Sequence, residues 1–260
     1  MVSGYNLGTP VKARWVFRGA CAVSITDDFL RATGTASGDR EMLPSRLAAA
    51  CTRVLPVAGA GVGMFGTSGI RVPVGSSDQN AAAAERLQFT TAQGPCLDAH
   101  RSACTVLATE STMAEQWPQF HAALVSRTPF RAVIAVPLVP PLDGMGTVDL
   151  YLHNSSDIAR VLMADVLEVI SAVTRTLAVD GLFGQAAGPL AWLVGPATTG
   201  RAAVPVAMGM LTVGLDVTST DALALLRAHA YATDRIVDDL ASDIVSRRIP
   251  TQHLRLDRNT

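Results

Sequence analysis

From Leu43 onward the apolar positions fall into regular spacings. Leu47, Ala50, Cys51, Val54 and Leu55 recur at helical intervals behind Pro44, a residue suited to a first helical turn. The run Gly59-Ala-Gly-Val-Gly-Met-Phe65 reads as a first strand. The turn Thr67-Ser-Gly69 leads into Ile70-Arg-Val-Pro-Val74, so the two form a hairpin. Asp78 then caps an alanine-rich helix running toward Phe89.

Beyond Gly94 the same two periods alternate. Cys104–Ala108 reads as a short strand, and 113–127 as a helix with Trp117, Phe120 and Leu124 inward. Arg131–Val139 is the most strand-like run in the chain. After a turn at Leu142-Asp-Gly-Met-Gly146, Thr147–His153 alternates with period two and completes a second hairpin. A long helix is expected from Asp157 to Phe183. Val161, Leu162, Leu167, Val169, Ile170, Val173 and Leu177 put apolar residues on more than one of its faces, one for the sheet and one for a partner helix in a homodimer. This order predicts an α+β domain with one antiparallel sheet.

Residues 1–40 lack such periodicity and read as an irregular arm, with a short strand at Trp15–Phe17. The α+β domain spans 41–184. A connector punctuated by Gly188-Pro189 and Gly195-Pro196 occupies 185–200. Three short helices at 201–214, 219–232 and 235–248 then make an all-α module over 201–249, followed by a tail at 250–260. In the third helix Ile236, Val237, Leu240, Ala241, Ile244 and Val245 form one stripe. Asp238 and Asp239 are expected on the opposite, solvated face.

Composition narrows the function. Charged residues make up 17% of the chain and the net charge is −1, so no overall basic character marks a nucleic-acid binder. Lys12 is the single lysine. Cys21, Cys51, Cys96 and Cys104 show neither CxxC pairing nor metal-ligand spacing. With no signal-peptide pattern at 13–25, this suits a cytoplasmic protein. The uncharged stretch 181–200 is broken by Gly-Pro pairs, which argues against a membrane span.

GPCLDAH, residues 94–100, raises a possible thiol site. Cys96 falls in the first turn of a helix begun by Pro95, where the helix dipole could lower its pKa, and His100 is one turn on. No group is evident to orient such a base, so the segment is read as a helix start. A redox role for Cys96 with Cys104 stays open beside that reading. His100, His121 and His153 are scattered, and Gly59-Ala-Gly-Val-Gly63 lacks the lysine and serine of a phosphate loop. No catalytic or metal-binding set emerges, and no motif selects a cofactor.

Several motifs together carry a resemblance. Leu87-Gln-Phe, Gly94-Pro-Cys-Leu-Asp-Ala99, Trp117-Pro-Gln-Phe120, Phe130-Arg-Ala-Val-Ile-Ala-Val-Pro-Leu138, Gly146 and Leu150-Tyr-Leu152 appear in order. The region 42–183 resembles the GAF domains that precede an antitermination-regulator (ANTAR) module in bacterial proteins. Arg201–Leu211, Asp221–Arg227 and Asp234–Ala241 resemble the three ANTAR helices.

The resemblance implies a signal-responsive regulator, not an enzyme. Its first domain would sense a small molecule, and its last would bind RNA hairpins to prevent transcription termination. Arg201, Met208, Gly209, Arg227, Tyr231, Asp234 and Arg235 fall at the corresponding contact positions, and Tyr231 could stack on an unpaired base or close the small core.

The chain departs from the family in three places. Methionine stands at 208 where lysine is usual, aspartate stands at 234 where asparagine is usual, and the helix that usually runs on from GAF into ANTAR is interrupted by Gly188-Pro189 and Gly195-Pro196, with Pro205 inside the first ANTAR helix. Between 201 and 248, five arginines face six aspartates, so the module has little charge with which to neutralise phosphate. A patch of Arg201, Arg227, Arg235, Arg247 and Arg248 would supply what remains. The alternative is a degenerate ANTAR protein that no longer binds RNA and acts as a ligand-sensing or dimerising GAF protein.

Overall fold

Five strands pair in the order β2-β1-β5-β4-β3, all antiparallel, in a computed structural model that describes residues 24–34, 40–66, 71–183 and 201–255. The strands are β1 (Gly59–Phe65), β2 (Arg71–Ser76), β3 (Val106–Ala108), β4 (Ala132–Pro137) and β5 (Gly146–Leu152). The first domain is α+β, as the alternating periods require.

The sheet separates two cores. Ala60, Val62 and Met64 of β1, with Val148, Leu150 and Leu152 of β5, point to one face of the sheet. That face is covered by α1 (Ile25–Thr33), α2 (Leu43–Val54) and α7 (Met163–Phe183). The opposite face carries Val133 and Tyr151. It lies under α3 (Gln79–Thr91), α4 (Pro95–Ser102), α5 (Glu110–Gln116) and α6 (Pro118–Arg127). A third core belongs to α8 (Ala203–Leu215), α9 (Ser219–Ala232) and α10 (Val237–Val245), with Phe89 of α3 inserted into it.

Several expectations need correction. Part of the arm at 1–40 is the helix α1, capped by Ser24, whose hydroxyl accepts from the Thr26 amide, and anchored by the buried Phe29. The strand foreseen at Trp15–Phe17 lies outside the described residues. The helix expected over 113–127 is two helices. Pro118 disfavours helical backbone at the residue before it, and Trp117 adopts φ −136°, ψ 63° between them. The long helix begins at Met163 rather than Asp157, after a 3₁₀ segment at Ser155–Arg160. The last helix spans Val237–Val245, bounded by left-handed residues at Asp234 and Arg247.

Pro205 breaks nothing, since it is the third residue of α8 and the first four helical N–H groups lack intrahelical partners anyway. The whole connector 185–200 and the last five residues of the tail, 256–260, lie outside the described residues.

Candidate functional site

The sheet face beneath α3 is polar at its centre. The pairing of β1 with β5 sets Gly61 opposite Asp149 and Gly63 opposite Thr147. A Cβ at Gly61 would overlap the Glu85 carboxylate, and one at Gly63 the Arg71 guanidinium. The alternating glycines thus leave bare backbone on which two long charged side chains lie flat.

Over that strip a closed network forms. Arg71 Nη2 donates to Glu85 Oε2 and, at 2.9 Å, to Asp149 Oδ2. Gln88 Nε2 donates to Asp149 Oδ2 at 2.8 Å and to the Tyr151 hydroxyl at 3.1 Å, and Tyr151 donates to Glu85 Oε1 at 2.6 Å. All five side chains are buried.

Two carboxyls share one cation there. Burial, with Glu85 close by, pushes the Asp149 carboxyl well above the ordinary aspartate range. Burial works against the Arg71 cation, but the acidic groups around it, Cys96, Glu85 and Asp149, more than offset it. Arg71 Nε and Nη1, Asp149 Oδ1 and Thr147 Oγ1 are buried without a protein partner. Unsatisfied polar atoms in such numbers mark a place for water or a small polar ligand. The sequence signals were the alternating glycines and an aspartate in step with Thr147 and Tyr151. Neither was read as a site.

GPCLDAH is a structural hinge of this network. Gly94 takes φ +139°, and a Cβ there would meet Gln88. Gln88 Oε1 accepts from the Cys96 amide at 3.0 Å, which orients Gln88 toward Asp149. Asp98 accepts from the Trp117 indole at 3.2 Å. His100 stacks on Phe65 with ring centroids 3.5 Å apart, and burial lowers its pKa. Cys96 is fully buried and burial pushes its thiol upward, contrary to the lowered pKa expected at a helix start, while Cys104 is exposed. Among the described residues no group of three His, Cys, Asp or Glu side chains could hold a metal ion. No single described helix is long and apolar enough to cross a membrane.

The C-terminal unit is seated on the far end of α3. Arg201, only 5% exposed, lies over the Phe89 ring at 3.7 Å, and the Arg227 guanidinium lies 4.9 Å from the same ring. Arg201 Nε and Nη2 donate to the two Asp238 oxygens at 3.0 and 3.1 Å, and Nη1 donates to the Arg71 carbonyl at 3.3 Å. Burial pushes the Arg201 pKa down to about 10, and Asp238 opposes that shift. Arg227 Nε donates to the Phe89 carbonyl at 3.1 Å, and the Val237 amide to Thr90 Oγ1 at 3.2 Å. Arg127 of α6 pairs with the Asp234 carboxylate.

No family model matches the chain, and no curated protein does.

The seven residues at the expected RNA-contact positions do not form one surface. Arg201 and Arg227 converge on Phe89. Tyr231, 58% exposed, lines a cleft of about 350 Å³ with Asp234, Arg235 and Arg127 between α3, α6 and the turn from α9 to α10. Met208 packs half-buried on the C-terminal core, and a Cβ at Gly209 would meet nothing. Nor do the five arginines make one patch. Arg235 and Arg248 share Asp243, Arg247 stands exposed, and Arg201 and Arg227 turn inward. Of the two aspartates expected in solvent, Asp239 is exposed but Asp238 is buried, drawn in by Arg201.

Proposed function

We propose that this chain is a signal-responsive transcription antitermination regulator with a GAF-like sensing domain and an ANTAR-like unit that binds RNA hairpins. It acts in the cytoplasm as a homodimer and has no catalytic role of its own. One observation carries the reading. A buried polar network with unpaired donors lies under a helix whose far end holds a separate three-helix unit. That arrangement suits a small polar ligand felt on one side and an effector unit on the other. The motif resemblance supplies RNA as the effector's target.

A second reading has its own support. Arg201 is buried over Phe89 and Arg227 lies half-buried against the same ring, so the cations needed for phosphate are drawn toward the first domain. In that reading the unit is degenerate, and the protein senses or dimerises without touching RNA.

Binding of purified protein to a tandem short-hairpin RNA and to a scrambled control separates the two, with Met208→Lys alongside. Selective binding by the wild-type chain is the expected result. Failure of the wild type with recovery in Met208→Lys places the loss at that position and favours the degenerate reading.

A further inference from the structure

We infer that the seat of α8–α10 on the end of α3 is a latch that excludes RNA, a proposal that rests on the RNA-binding reading above. Every polar end of the Arg201 side chain is spoken for: two bonds to Asp238, one to the Arg71 carbonyl, and its face on Phe89. Arg227 is held by the same ring and by the Phe89 carbonyl. The buried Arg201 guanidinium is closed to phosphate while the unit stays seated, and the half-buried Arg227 has its Nε committed to the first domain. Asp234, the departure from asparagine, also has a role here. Its carboxylate meets Arg127 of the first domain, so it serves the seat rather than RNA.

The seam has the make-up of a contact that releases. Among the described residues, Phe89 is the one first-domain side chain in the buried C-terminal core, and Ile236 is the C-terminal residue that packs in return on the core beneath α3. The seam also carries two guanidinium–ring contacts, hydrogen bonds and an ion pair, beside a cleft of about 350 Å³ that protein does not fill. Polar interfaces of this kind between units of one chain permit relative motion. Arg71 joins the latch to the sensing network. Its guanidinium lies between Glu85 and Asp149 while its carbonyl holds Arg201, so a ligand or proton that shifts Arg71 loosens the seat.

The test uses the full chain and two variants: Phe89→Ala, which removes the ring, and Arg127→Glu, a partly exposed change that spares every core. Amide hydrogen exchange at Val237 and across 201–215 reports unseating, and titration with the tandem-hairpin RNA reports affinity. The expected result is faster exchange in both variants with RNA binding tightened at least tenfold over wild type. Unchanged exchange in both overturns the latch, because these contacts then do not hold the seat. Faster exchange with RNA affinity equal to or below that of a wild type that binds overturns the latch and leaves the RNA-binding reading standing. Faster exchange with no RNA binding by any form overturns both.

Discussion

Asp149 and Glu85 lean on a single guanidinium in a dry interior, and this crowding with burial raises the affinity of the Asp149 carboxyl for a proton. The folded chain binds this proton more tightly than the unfolded one. The stability it lends is therefore full below the ordinary aspartate range and is lost as pH rises toward the raised value. Asp149→Asn has no such proton to lose. Its melting temperature relative to wild type should rise as pH climbs above the ordinary aspartate range, as calorimetry at a series of pH values would read. A constant difference would place the titration elsewhere. Little of this was legible in the sequence. Period-two alternation in Thr147–His153 says that one side of the strand is polar, not what covers it, and α3 covers it. Asp238 went astray for the same reason. A helical stripe shows which face is apolar, but a buried partner such as Arg201 can draw in a charge from the other face.

Among the elements, α3 serves three neighbours. Leu87 and Ala84 face the core shared with α6, Glu85 and Gln88 face the sheet, and Phe89 faces the C-terminal unit. Its start is fixed by Asp78, whose carboxylate accepts from the Asn80 and Ala81 amides at 2.8 and 3.0 Å. Asp78→Ala should cost about 1 kcal/mol in urea unfolding, the usual value of such a cap. A loss much nearer zero would mean that packing alone sets the helix start. The strands and this cap were readable because their signals are local: period two, a turn, an aspartate before an alanine run. The split at Trp117 was missed although Pro118 announced it, since the apolar spacing of Trp117, Phe120 and Leu124 runs on across the break. Helix α1 is too short to show a repeat, with Phe29 its one fully buried residue.

For the whole molecule, the face of α7 turned from the sheet shows Leu167 and Val179 exposed, with Glu168 and Arg175 between them. If dimers form through this face, sedimentation at micromolar concentration should show them. Leu167→Glu combined with Val179→Glu should then give monomer without lowering the melting temperature, since neither side chain lies in a core. A wild type that sediments only as monomer would remove α7 as an interface. The seam between the two units was beyond sequence reading. It joins Arg71 to Arg201, Phe89 to Arg227 and Arg127 to Asp234, residues more than a hundred positions apart, and no periodicity reports such pairs.

The four residues Gln88 to Thr91 end α3, and three of them face different partners: Gln88 the buried network, Phe89 the two arginines, Thr90 the Val237 amide. The two halves of the chain are therefore not interchangeable parts. A three-helix unit borrowed from another protein would meet Phe89 without its arginines and Thr90 without its amide, and would leave an aromatic ring standing in water. Any exchange of the three-helix unit would have to carry the end of this helix along with it.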